Sequence, residues 1–258
     1  MKRVFAFVLT AACVAVWPSP ALVLIGGNQP ANVQPPPNGA PWDHIASLGS
    51  GTGVYLKRRF IITANHVGLP SSVTLNGVSY AVDTTWTNGG QMQINGDDIK
   101  LLRITTDPGL AKLPLVGVLD NDLAKRCTII ANGATNGAVI PNQGWQWGGV
   151  ATQRWGTNIT LPTVRPGYLG FPRLATSFDL AYGGSEACIA NGDSGGGLFQ
   201  RFAGVWKLSG ICVDTDTGGS SLYDHDPNQS GNQPDKSYYV RLSDHRATIN
   251  AIMNAATP

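Results

Sequence analysis

Apolar and β-branched residues run along this chain in short stretches separated by turn formers. The stretches include TGVYL, RFIITA, VTLN, VSYAVD, DIKLLRI, CTIIANG, WQWGGVATQRW, RLATSFDL, GVWKLSGIC and SYYVRL. Asn76-Gly77, Asn88-Gly89-Gly90, Asn95-Gly96, Asp107-Pro108-Gly109 and Asn136-Gly137 punctuate them. Many short strands with regular turns predict a sandwich or barrel. Only LSDHRATINAIMNAA, at 242–256, has helical periodicity, with Ser243 as its N-cap and Ile249, Ile252 and Met253 as its apolar stripe. The Pro- and Asn-rich stretch 28–41 predicts an extended lead-in, and the polar stretch 213–235 predicts a long loop. A boundary between two β units fits GVLDNDLAKR at 117–126.

Composition strengthens the all-β expectation. Charged residues make up 13% of the chain, against roughly 25% in an average globular protein. There are 32 glycines and 17 prolines. The formal charge is +2, and Lys2 and Arg3 carry that excess. With no basic cluster elsewhere, nucleic acid is not an expected partner.

The N-terminus has a basic tip, an apolar run from Val4 to Trp17, and Ser19-Pro20-Ala21 as a small-x-small cleavage site. This predicts a signal peptide over 1–21, an exported or periplasmic product, and no membrane association after its removal. Cys13 as a lipid-attachment site is the alternative. Cys127, Cys188 and Cys212 remain in the mature chain. Cys188 and Cys212 flank the Ser194 loop and form the expected disulfide; the alternative is three buried free thiols.

Candidate chemistry centres on NGDSGGGLF at 191–199, where Ser194 stands among four glycines. A nucleophilic serine needs a base, and the base needs an orienting acid. Of His44, His66, His225 and His245, His66 ends the β-like run FIITANHV, where a side chain emerges at a strand end. Asp98 opens DIKLLRI, with Asp97 as its rival. Gly192 to Gly196 also fits the G-x-S-x-G nucleophile elbow, with Asp214 and His245 as formal partners. An elbow needs a helix after the serine, and GGGLFQRFAGVWKL is a β pattern.

TANHV, DIKLL and NGDSGGGLF, in that order, resemble the TA-x-H, DI-x-LL and GDSGG motifs of the trypsin/chymotrypsin-like serine proteases. LIGG at 24–27, PW at 41–42, SGTG at 50–53, CTIIANG and LSGIC extend the resemblance over almost all of the mature chain. It implies two packed antiparallel β-barrels with a C-terminal helix: a lead-in over 22–41, a first barrel over 42–120 with His66 and Asp98, and a second over 121–258 with Ser194. The implied activity is endopeptidase action on a protein or peptide substrate by a monomer, with no metal or organic cofactor. The alternative is a catalytically silent homologue that only binds.

The resemblance also implies an oxyanion hole from the Gly192 and Ser194 N–H groups, and substrate backbone pairing along Ser209-Gly210-Ile211. Cys188 stands where members specific for basic residues carry aspartate, and Ile211 where open-pocketed members carry glycine. A small or medium apolar residue before the scissile bond is therefore expected. Val67 replaces the family's cysteine after the histidine, so the usual bridge there is missing. Asp193 matches the buried carboxylate that pairs with a new N-terminal amine in activated members. Leu24 is its expected partner; the alternative is that Asp193 only accepts loop hydrogen bonds.

Overall fold

The computed structural model describes residues 21–149, 151–167, 170–216, 218–223 and 233–256. The predicted signal segment before Ala21 and the candidate base His225 lie outside them. After the two-residue strand β1 (Val23–Leu24) come β2 (Ile45–Ser47), β3 (Thr52–Lys57), β4 (Phe60–Ala64), β5 (Ser72–Leu75), β6 (Val78–Ala81), β7 (Gln91–Gln93) and β8 (Ile99–Arg103). The second half holds β9 (Arg126–Ala131), β10 (Thr135–Ile140), β11 (Gly144–Gly148), β12 (Arg154–Ile159), β13 (Arg173–Ser177), β14 (Ala187–Cys188), β15 (Gly197–Phe202), β16 (Val205–Thr215), β17 (Ser220–Leu222) and β18 (Lys236–Arg241). A helix over Arg246–Ala255 follows.

Local chemistry explains the elements. β4, FIITA, is buried along its whole length, as a strand covered on both faces must be. β5 alternates exposed and buried positions, as a half-solvated strand does. Asn76 and Gly77 join β5 to β6 with φ of 52° and 76°. That pair of left-handed residues is what a two-residue hairpin turn with the right twist requires.

Seven strands form one antiparallel sheet in the order β6-β5-β2-β3-β4-β8-β7, and six form another in the order β12-β9-β15-β16-β18-β13. The first sheet curls until Val82 bridges Ile104. The second curls until Thr160 bridges Thr176. These are two barrels, and one apolar core joins them: Ile62, Leu101 and Val54 from the first pack in the same cluster as Phe199, Leu208 and Ile211 from the second. Ile249 and Met253 bury the helix against that cluster.

Several expectations change. Ser243 is not the helix N-cap; it lies in a 3-10 turn over Leu242–Asp244, and His245 occupies the cap position. WQWGGVATQRW splits into β11 and the start of β12. The stretch 213–235 is not all loop, because β16 continues to Thr215 and β17 follows. Among the described residues no helix is long and apolar enough to cross a membrane.

Candidate active site

Strand register brings the base and the acid together. In the β4–β8 pair, Ala64 lies opposite Ile99. His66 stands two residues beyond that pair and Asp98 one before it, so both emerge at the same end of the first barrel. The backbone N–H of Asn65 donates to the Asp98 carbonyl at 3.2 Å, which holds the two chain ends side by side. His66 Nδ1 lies 2.7 Å from Asp98 Oδ2, and the His66 backbone N–H donates to Oδ1 at 2.9 Å. A carboxylate only accepts, so the imidazole proton sits on Nδ1 and leaves Nε2 free to accept. Ser194 Oγ is 2.8 Å from that Nε2. The hydrogen bond to Asp98 raises the His66 pKa above its ordinary value, against burial, which lowers it.

Ser194 comes from the second barrel, in the loop between β14 and β15. Gly192 and Gly195 both have φ of 86°. A Cβ on Gly195 would stand 1.9 Å from the Thr52 carbonyl oxygen, so no other residue fits there. Neither the Gly192 nor the Ser194 N–H has a hydrogen-bond partner among the described residues. Both N–H groups are thus available to donate to a group bound beside the serine hydroxyl.

Thr52, which the sequence did not single out, fixes this loop from the first barrel. Its N–H donates to the Ser194 carbonyl at 2.8 Å and its hydroxyl to the Gly192 carbonyl at 3.1 Å. The same hydroxyl accepts the Asn132 N–H at 2.9 Å. Thr63 donates to the Thr52 carbonyl at 2.6 Å.

Asp97, the rival acid, is fully buried and faces elsewhere. It takes Arg173 Nη2 on one oxygen at 2.5 Å, and Arg173 Nη1 and His245 Nε2 on the other at 2.9 Å each. Burial pushes its pKa up, but the bonds from His245 and Arg173 outweigh that and hold it at about 2. One Asp97 oxygen also accepts the Asp98 N–H at 2.7 Å, so the buried pair supports the acid beside it.

Three expectations at the site are corrected. No bridge joins Cys188 to Cys212: Cys127, Cys188 and Cys212 are all free and buried. Cys212 faces the cluster that holds Cys127 and Tyr239, whereas Cys188 packs with Val23, Phe178 and Ala190. Burial raises Cys127 to about 12 and Cys188 to about 11, so both stay protonated thiols at neutral pH.

Ser209, Gly210 and Ile211 do not reach the cleft. Ser209 and Ile211 are fully buried. Gly210 and Ile211 have β15 on one edge and β18 on the other, and Cys212 still bonds Gly195 and Gly196, so the free part of β16 begins at Val213. Ile211 therefore does not narrow a substrate entrance, and Cys188, also fully buried, meets the Ser237 hydroxyl at 3.4 Å.

Leu24 is not the partner of Asp193. Its N–H donates to Asn136 Oδ1 at 3.0 Å and its carbonyl accepts Asn136 Nδ2 at 2.8 Å. Asp193 is fully buried and accepts the Ala190 and Gly133 N–H groups at 2.7 and 2.8 Å. The backbone N–H beside it from the N-terminal segment belongs to Leu22. Burial raises the Asp193 pKa to about 8, although these N–H groups and the more distant charge of Arg154 lower it.

No protein-family model matches the chain, and a search of curated proteins returns no match. Solved structures do match. A mutant of human heparin binding protein superposes with a TM-score of 0.62 at 17% identity, covering 91% of this chain and 98% of that one. Human heparin binding protein itself gives a TM-score of 0.60 at the same identity and coverage. The likeness is one of fold, and the fold is the chymotrypsin-like double β-barrel with a short C-terminal helix.

Proposed function

We propose that the protein is an exported serine endopeptidase that cleaves peptide bonds through an acyl-enzyme. One observation carries this reading: a continuous hydrogen-bonded line from Asp98 through His66 to Ser194, ending beside the open Gly192 and Ser194 N–H groups. Ser194 Oγ attacks the peptide carbonyl while its proton passes to His66 Nε2. Asp98 keeps Nδ1 protonated and stabilises the imidazolium. The carbonyl oxygen, now an anion, takes the two open N–H groups. His66 then donates its proton to the leaving amine, and water repeats the sequence on the ester.

Labelling with a fluorophosphonate tests the reading, with Ser194→Ala as the control. Stoichiometric modification of Ser194 and release of peptides from a denatured protein substrate are expected. A folded protein that neither labels nor cleaves would refute it.

A second reading, a binding module on this fold, has one observation behind it: the two structural neighbours are named for binding heparin. A groove of about 550 Å³ on the second barrel carries Lys125, Arg126 and Arg201 near Trp206. That reading requires salt-sensitive retention on immobilised heparin that Ser194→Ala leaves intact and that replacing these three cations removes.

A further inference from the structure

A cavity of about 720 Å³ opens beside His66. Asn65, Gln93, Pro166, Val213, Asp214 and Tyr238 form much of its wall, and Ser194 lies outside it. It therefore does not receive the residue whose carbonyl is attacked, but its neighbours in the peptide.

The charges on this wall are not equivalent. Asp98 is committed to His66, and Asp97 and Arg173 to each other. Beyond the wall, Asp216 pairs with Lys236 and accepts the Tyr238 hydroxyl. Asp214 alone of the wall carboxylates is uncommitted. It is exposed, it accepts only the Thr215 N–H at 2.8 Å, and no cation pairs with it among the described residues. It lies opposite Tyr238 in the β16–β18 pair, and both line the cavity with His66.

The backbone offers a matching track. β15 stops pairing with β16 at Ile211, and β18 occupies the opposite edge at Asp214 and Thr215. Among the described residues, the first edge of Val213–Thr215 thus carries no strand. An extended peptide can add there, and alternate side chains would point to one face. Val213 and Pro166 suit a methylene stem, the Tyr238 ring suits a cation, and Asp214 terminates the path.

We infer that Asp214 is a specificity determinant that selects Lys or Arg among the few residues preceding the one attacked. This rests on the endopeptidase reading above. The substrate class is then a peptide with a basic residue shortly before the residue attacked.

The test uses the mature protein and internally quenched peptides randomised on both sides of the bond, after phosphonate labelling has scored the nucleophile. Lys or Arg at the favoured position should raise kcat/KM about fivefold over Gln, the scale of one exposed ion pair, and high salt should shrink the ratio. Asp214→Asn should bring the ratio to about one, and Asp214→Lys should reverse it in favour of Glu. Labelling and cleavage with no basic preference, a preference only after the scissile bond, or a preference that survives in Asp214→Asn overturns the inference and leaves the protease reading standing. Neither labelling nor cleavage ends both.

Discussion

The Asp193 environment makes the N-terminal cut a chemical event in the second barrel. In a chain that still carries residues before Leu22, the buried carboxylate meets only backbone N–H groups, and its pKa stands at about 8. The unfolded chain releases that proton near 3.8 while the folded chain keeps it. Between those values the folded state binds more protons, so stability falls as pH rises. Between pH 4 and 7 the loss is on the order of 4 kcal/mol. Leu22 itself has φ of 60°, a left-handed conformation that a leucine adopts at a cost of about 1–3 kcal/mol.

Cleavage after Ala21, the junction predicted from the sequence, changes both terms. It removes the peptide unit that defines that φ, and it turns the Leu22 N–H into an ammonium beside Asp193. Pairing raises the amine's pKa above about 8 and lowers that of the carboxyl. The amine's contribution is full below its unfolded value and is lost as pH climbs through the raised one. The assay is urea unfolding at pH 5, 7 and 8, in a Ser194→Ala background, of a chain beginning at Leu22 and of one with several residues added before it. The extended form should lose stability steeply between pH 5 and 8, and the cut form should not. Equal slopes would refute the pairing and leave Asp193 as an acceptor of loop hydrogen bonds alone.

Other predictions follow from the site. Ser194→Ala or His66→Ala should each lower kcat about 10⁴- to 10⁶-fold, and the double variant should lose little more, as single-turnover kinetics would reveal. Asp98→Asn should cost about 10⁴-fold in kcat through the wrong imidazole tautomer. Asp97→Asn should instead appear in denaturation, at about 3–5 kcal/mol, because it leaves Arg173 buried against a neutral partner. His66 must be neutral to accept the serine proton, and its bond to Asp98 raises its pKa. The acid limb of kcat/KM should therefore fall above pH 6.5. In Asp98→Asn the residual activity should persist to lower pH; an unmoved limb would assign it to another group.

Much of this was legible in the sequence, and the boundary is physical. An all-β fold and the terminal helix follow from local patterns, namely short strands, Asn-Gly turns and the Ile249/Met253 stripe, whereas the division into two barrels comes from the family resemblance. His66, Asp98 and Ser194 stand out because TANHV, DIKLL and NGDSGGGLF, in that order, resemble one family's motifs; none of the three residues is distinctive alone. What the sequence could not supply was register and depth. LSGIC and CVDTD are equally β-like, and only the pairing with β15 and β18 shows that the first is sealed and the second open. Leu22 and Leu24 are equally apolar, and Asn136, more than a hundred residues away, decides which of them faces Asp193. Cys188 and Cys212 flank one loop but face different clusters. Thr52 falls in the SGTG stretch, but no local pattern reveals its role, which is to meet a loop from the other half of the chain.

The Thr52 contacts have a wider consequence. The nucleophile belongs to one barrel and its base to the other, and a single threonine ties the carbonyls of Gly192 and Ser194 to the side that holds His66. The distance between hydroxyl and imidazole is therefore a gauge of how the two halves are docked. A shift of one barrel against the other by about an ångström would part Ser194 from His66, and the shared apolar core of Ile62, Leu101, Phe199 and Leu208 resists such a shift. On the endopeptidase reading, the alignment of the triad is thus a property of how the two barrels are docked and not of either barrel alone.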